Sequence, residues 1–370
     1  MVIPSDDWPE GVRAQIDALG GQPRDAIDHH LRLEPQPPPS AAARKPHEVV
    51  IRVRAAGINW VDLLMTSGQY QHVPEPPYTP GLEMAGEVLW CGTDVENVRV
   101  GDAVIVDGLL AGPRSLGDYR RWGGWATYAV APAEALIRKP AALSFDAAAT
   151  LLGSFETAYH VLVVRGQVRA GETVLVLGAT GTTGSAAVQV AKALGATVIA
   201  TGRRADKLEA VRALGADHVV ATDDGAAGVR RFRDDVKALT GGRGVDVVHD
   251  GLGGGVAREA LRCVAFRARY LVVGWAATPF AGRGEKKADV GTLPTNLIMM
   301  KSLDVRGCPA VISAHRDPSL VPTRRSQILA WVEAGHMAPH VGGHYALSDI
   351  AEGMRAKWES RHPGVVTVRP

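Results

Sequence analysis

One short stretch constrains the fold of this chain more than any other. The apolar run Val174, Leu175, Val176 and Leu177 passes directly into Gly178, Ala179, Thr180, Gly181, Thr182, Thr183 and Gly184, and an alanine-rich segment follows. An apolar run bounded by glycine predicts a buried strand, and the alanine-rich segment to residue 194 predicts a helix. In the AxGxxG pattern that starts at Ala179, the small residue keeps the turn tight. Gly181 lets backbone approach a pyrophosphate, and Gly184 lets the helix press on the strand. The helix start, with Thr182 and Thr183, adds its first-turn N–H groups and the positive end of the helix dipole. A glycine turn without a ligand is the plain alternative. The strand–turn–helix context argues against it.

The same rhythm continues downstream. Residues 198–201, 218–220, 246–249, 270–274 and 303–306 read as strands, and 205–214, 229–239 and 256–264 as helices between them. Such alternation predicts a doubly wound parallel sheet covered on both faces. The second strand bears on the cofactor. An acid at its end takes the ribose 2′-OH of NAD, but here the strand ends at Gly202, Arg203 and Arg204, with Lys207 one turn on. No carboxylate repels a 2′-phosphate, and these cations suit one. The competing reading is a solvated face whose cations pair with Asp206 and Glu209. Position favours NADPH.

Composition narrows the partners. A chain of 370 residues accommodates two domains. Forty-one basic against thirty-nine acidic residues, a net charge of +2, leave no footprint for nucleic acid or an anionic membrane. Cys91, Cys263 and Cys308 are too scattered for a disulfide framework or a structural zinc site. No apolar run approaches the ~18 residues of a membrane span. Asp6, Asp7 and Glu10 stand where a signal peptide has a basic flank, so the expectation is a cytoplasmic protein.

The first forty residues are irregular: a leader strand or two and a proline-rich loop. Short glycine-punctuated strands follow over 49–55, 86–90, 102–106 and 126–131, the pattern of a small, mostly β unit. Landmarks then accumulate in order: Ala56, Gly57, Ile58 and Asn59 with Asp62; Ser67, Gly68, Gln69 and Tyr70; Thr79 to Glu83 with Gly86. Val100, Gly101 and Asp102, then Gly123 to Ala126, Thr157 to Tyr159, the AxGxxG turn, Leu214 to Asp217 and Asp246 to Asp250 complete the series. Over roughly residues 48 to 355 the chain resembles the medium-chain dehydrogenase/reductase superfamily, and within it the zinc-independent quinone oxidoreductase branch. The resemblance implies a mostly β, GroES-like catalytic domain from residues 1–147 and 312–370. It implies a Rossmann-type NADPH-binding domain from 148–311, and a homodimer paired through residues 303–311.

Zinc-dependent members of that superfamily would place Cys where Asn59 stands, His where Leu82 stands, and a third ligand near Gly153. Neutral Asn and Leu with Glu83 alone make no such site, so no metal is expected. Hydride transfer to a quinone or an α,β-unsaturated carbonyl compound is the reaction implied. The nicotinamide would lie in a cleft between the domains. Asn59, Asp62 and Thr157 fall near its reactive end by resemblance, and Gly251, Gly274, Trp275 and Asn296 line its other side. Tyr70 stands where related reductases carry a tyrosine able to reach substrate, as proton donor or as pocket wall. Asn59 and Asp62 have the plainer reading of loop supports, and Trp125 that of core. Glu83 is expected to tie to a basic neighbour, and His160 to be a satisfied buried imidazole. Two stretches exceed the family pattern, 107–122 and 276–291; loops of this kind commonly set substrate choice, and solvated surface loops are the plainer, favoured reading. A specialised reductase of one elaborate metabolite and a non-catalytic NADPH-binding protein stay open as alternatives.

Overall fold

The computed structural model describes residues 8–70, 73–223, 228–276 and 292–370. It divides into two compact units, residues 1–153 with 338–370, and residues 154–337.

The second unit carries six parallel strands. Their spatial order is His218–Ala221, Thr197–Gly202, Thr173–Leu177, Val245–Asp250, Val264–Val272 and Asp304–Gly307. This is a doubly wound Rossmann-type sheet, with the glycine turn on its third strand in space and first in sequence. Leu175, Leu177, Ile199, Val248, Phe232 and Tyr270 sit in its core. Two helices differ from expectation. That over 229–239 begins at Arg233, because Val229 bridges Asp223 and the Arg230 N–H bonds the Thr222 carbonyl before Phe232 turns inward. That over 256–264 is Gly254–Ala260. Val264 already pairs with Val245 in the sheet, and the strand bulges before Arg269 rejoins the ladder beside Val247. β-branched Val264 and buried Ala265 favour that ladder over another helical turn.

The first unit is a GroES-like, mostly β unit. Its sheet runs Val341–Ala346, Val365–Arg369, Glu48–Gly57, Met84–Cys91, Ala103–Val106 and Leu136–Arg138, and Tyr128–Pro132 also pairs with Glu48–Gly57. The expected irregular leader folds in part as an antiparallel ladder of Gly11–Ile16 with Leu31–Gln36. The last strand pairs with Glu48–Gly57 and brings the C-terminal end into this unit. The division after 311 expected from sequence is displaced to 337. Helices Ala310–Arg316 and Leu320–Glu333 stay with the second unit, where buried Arg324 pairs with Glu156 and Trp331 packs on Tyr159. Among the described residues, no helix is long and apolar enough to cross a membrane.

Candidate active site

In the second unit the glycine turn separates two jobs. A Cβ on Gly184 would lie 2.3 Å from the Gly178 carbonyl oxygen and 2.8 Å from the Ala179 Cα, so this glycine is required by packing. A Cβ on Gly181 would meet nothing nearer than the Gly178 oxygen at 3.4 Å. Gly181 is exposed, caps helix Thr182–Ala193, and leaves Thr182 and Thr183 half-exposed on the first turn. Ala179 is buried, and its N–H bonds the Thr201 carbonyl at 2.8 Å. The turn thus keeps an open face above the first helical N–H groups, which fits a pyrophosphate.

A side chain at Gly202 would press on two neighbouring methyl groups. Its Cβ would stand 2.9 Å from Thr180 Cγ2 and 3.0 Å from Leu208 Cδ2. Close packing thus favours glycine here, beside the cofactor signal of the missing acid. The three cations beyond it divide. Arg204 is exposed and forms a fork with Asp206, Nε to Oδ1 at 3.0 Å and Nη2 to Oδ2 at 2.5 Å. Arg203 is exposed and makes no ion pair among the described residues. Lys207 is buried to 6% exposure, and that burial, with Arg204 and Arg203 nearby, holds its ammonium below the ordinary lysine range.

Asp250 ends its strand by accepting the Leu252 and Gly253 N–H groups on Oδ1, both at 2.9 Å, while the Tyr270 hydroxyl donates to Oδ2 at 2.8 Å. This network fixes Gly251. Backbone bonds from Gly274 to Asp250 and from Ala276 to Gly251 bring Gly251, Gly274 and the exposed Trp275 together. Asn296 is exposed on helix Thr295–Lys301, and Thr157 is half-buried on Leu151–Tyr159. His160 departs from expectation. It is buried, yet neither ring nitrogen has a partner among the described residues. Desolvation, with the Arg324 charge nearby, pushes it down to about 4.

The first unit holds the expected catalytic group. Asn59 starts helix Trp60–Thr66 and closes a capping box with Asp62, whose Oδ2 accepts the Asn59 N–H at 2.8 Å. Asp62 Oδ1 accepts the Leu82 N–H at 2.9 Å. Burial nevertheless pushes the Asp62 carboxyl up to about 7 against these two bonds. The reading of Asp62 as a backbone support accounts for both oxygens. The Asn59 side chain does more, because its Nδ2 donates to Glu83 Oε2 at 2.8 Å. Glu83 Oε1 takes the Gly153 N–H at 2.5 Å, and a Cβ on Gly153 would stand 2.6 Å from that oxygen. The carboxylate fills the space that a side chain at 153 would need. Lys357, on helix Ile350–Trp358, interacts electrostatically with Asp62 and Glu83. Desolvation brings its ammonium down to about 8.

Tyr70 is half-buried, and its hydroxyl makes no hydrogen bond among the described residues. Trp60 stacks on Trp358 with ring centroids 5.2 Å apart and planes 2° from parallel, giving this helix face a flat aromatic wall. Trp125 is fully buried with its Nε1–H on the Gly57 carbonyl, as a core residue. In the first long stretch, Asp118–Arg121 forms a turn of 3₁₀ helix, and the Tyr119 hydroxyl donates to Glu48. Most of the second, 277–291, lies outside the described residues. Lys357 and Trp358 escaped the sequence reading. Their one signal was the amphipathic spacing of a C-terminal helix, which does not say what its inner face meets.

Comparison with known proteins agrees with this architecture. Residues 45–141 match the family described as alcohol dehydrogenase GroES-like domain, and residues 182–316 that described as zinc-binding dehydrogenase. The donor set does not fit the metal of that second description. At the positions where the resemblance expects ligands, Asn59, Leu82 and Gly153 offer neither thiolate nor imidazole, and Glu83 is bound to two N–H groups. A mouse protein named quinone oxidoreductase-like protein 2 is 33% identical over 87% of this chain and 84% of its own. The structure of a mycobacterial protein complexed with NADPH matches with a TM-score of 0.77 at 26% identity, over 98% of this chain and all of that one. An NAD-dependent alcohol dehydrogenase matches with a TM-score of 0.79 at 29% identity, over 97% of this chain and 99% of that one. The chain is an oxidoreductase of the medium-chain dehydrogenase/reductase superfamily, belonging to its quinone oxidoreductase branch.

Proposed function

We propose that this chain is an NADPH-dependent reductase that passes hydride, without a metal, to a quinone or an α,β-unsaturated carbonyl compound. The observation that carries the reading is the asymmetric turn, with Gly184 closed by packing and Gly181 left open. A nicotinamide cofactor supplies the hydride when bound. The chain's own residues do the rest. The first turn from Thr182 holds phosphate oxygens, and Gly251, Gly274, Trp275 and Asn296 shape the platform beyond it. Arg203 and Lys207 favour the 2′-phosphate, and Gly202 sets no acid against it. In the first unit, Asn59 offers an N–H to an oxygen that gains charge, and the Tyr70 phenol supplies a proton. The Trp60–Trp358 wall suits flat, apolar acceptors. The mycobacterial match, a complex with NADPH, supports the cofactor, and the mouse relative's name supports the acceptor class.

The test is NADPH and NADH oxidation with a panel of quinones and enones, alongside elemental analysis. Turnover with NADPH, and its persistence under strong chelation, is expected. Tight NADPH binding without turnover on any acceptor points to the non-catalytic reading, and turnover of one elaborate enone alone to a specialised enzyme. One zinc per chain overturns the metal-free reading. We also infer a cytoplasmic homodimer without nucleic-acid or membrane partners. Strand Asp304–Gly307 is the sheet edge, and near it in sequence Met299 is 73% and Met300 64% exposed.

A further inference from the structure

We infer that Glu83 is a positioning residue, locking the Asn59 amide so that this side chain serves a reacting oxygen as an N–H donor and never as an acceptor. A carboxylate accepts and does not donate, so the Asn59 atom 2.8 Å from Glu83 Oε2 is the amide nitrogen. The capping box turns the amide oxygen to the backbone of Asp62. One amide N–H is then held by Glu83, and the oxygen faces the helix start. The second N–H is the valence left for a ligand. Glu83 is itself held, because its other oxygen takes the Gly153 N–H at 2.5 Å.

Two glycines make the room this lock needs. A Cβ on Gly57 would lie 2.8 Å from Asn59 Nδ2, and one on Gly153 2.6 Å from Glu83 Oε1. Lys357 contributes the charge opposite Glu83 and Asp62. The positions where zinc dehydrogenases place metal ligands are thus rebuilt as a hydrogen-bonded clamp. Its output is a fixed donor suited to the carbonyl oxygen of an enone or quinone. This inference rests on the proposed reductase activity for its ligand. The lock itself is independent of turnover.

The experiment is a donor–acceptor exchange read by both thermal stability and turnover. Asn59→Asp sets two carboxylates against each other and is expected to lower the melting temperature by several degrees. Adding Glu83→Gln restores the pair in reverse, since the introduced amide donates to the introduced carboxylate while its oxygen still accepts from Gly153. The melting temperature should return to within a degree or two of the parent. kcat/KM for the enone should stay down by roughly 100-fold, because the donor N–H is gone. In the Asn59→Ala background Glu83→Gln should cost less than about threefold more, against about tenfold alone, because the two act as one unit. Asn59→Asp that leaves stability unchanged overturns the lock. Recovery of turnover in the exchanged pair, or additive losses, overturns the positioning role. If the parent reduces no acceptor, the reductase reading fails, and the melting temperatures still decide the lock.

Discussion

The two units build their sites by opposite means. The second works by omission. Gly184 lets helix and strand close up, Gly181 leaves the outer face of the turn open, and few side chains are needed. The first works by saturation. Asn59, Asp62, Glu83 and the Gly153 N–H bind one another until little of their hydrogen-bonding capacity is left over. A cradle made by omission is local, whereas a clamp made by saturation joins residues distant in sequence. The buried titratable groups differ as well. In the second unit they include two imidazoles, His160 and His249, both pushed down to about 4 chiefly by desolvation. In the first, burial raises the Asp62 carboxyl to about 7.

These shifts predict opposite responses to acid, the largest effect expected here. A buried histidine with a depressed folded pKa stabilises above its unfolded value near 6.5, and that contribution is lost as pH falls toward 4. A pKa that differs by one between the folded and unfolded states corresponds to about 1.4 kcal/mol, so the two histidines together withdraw on the order of 6 kcal/mol by about pH 4. Asp62 has the other sign. Its raised folded pKa contributes stability that is fully present below about 4 and lost as pH rises through about 7. Between pH 7 and 5, hydrogen-exchange protection corrected for intrinsic rate should therefore fall in strands Thr173–Leu177 and Val245–Asp250 and hold around helix Trp60–Thr66. Parallel loss in both units breaks the comparison.

Alanine at two glycines of the turn separates packing from ligand approach. Gly184→Ala forces a Cβ to within 2.3 Å of a carbonyl oxygen. It should cost about 3 kcal/mol, visible in denaturant unfolding, and weaken the cofactor with it. Gly181→Ala meets only a 3.4 Å contact and should leave stability within about 0.5 kcal/mol. NADPH affinity should still drop at least about tenfold, since the new methyl stands where phosphate approaches. Equal stability losses at both positions refute the division of labour.

Asp62→Ala probes the other unit at smaller size. It removes the acceptor for two backbone N–H groups, those of Asn59 and Leu82. About 2 kcal/mol is expected from the lost cap and the stranded donors, partly offset by release of a buried charge. Because Asp62 holds the loop to Leu82, turnover should fall with stability. An unchanged melting temperature means the Asp62 bonds carry nothing.

How much of this was legible follows from the same contrast. The glycine turn and each alternating strand and helix are local patterns that follow one another along the chain, so the second unit's fold was readable directly. Arg204 was not, since only geometry tells a guanidinium aimed at solvent from one forked on Asp206. In the first unit, Asn59 and Glu83 were singled out, but their bond spans 24 positions and that to Gly153 spans 70. No spacing rule relates them. Gly153 read as an absence, and the structure shows what fills it. The helix ends that were misplaced, at 233 and 260, fell where tertiary pairing of Val229 and Val264 overrode local pattern.

The smallest effects concern the three cations, and here the comparison turns inside the second unit. Charge-assisted contacts are worth about 1.5–3 kcal/mol when formed, and a tenfold change in affinity needs about 1.4. Lys207 is buried beside the end of strand Thr197–Gly202, so its loss on mutation is least screened by solvent. Lys207→Ala should weaken NADPH roughly tenfold or more and leave NADH within about twofold. Arg203, exposed and without an ion pair among the described residues, should cost about three- to tenfold once screening is allowed for. Arg204 is already committed to Asp206, and turning it to a phosphate requires breaking that fork. Arg204→Ala should therefore shift NADPH affinity less than about threefold, and Asp206→Ala, which frees the arginine, should tighten NADPH slightly. Titrating the four variants with both cofactors decides the order. If Arg204→Ala matches Lys207→Ala, the fork opens on binding. If every variant weakens NADH as much as NADPH, none of these cations reads the 2′-phosphate, and the cofactor preference has another source.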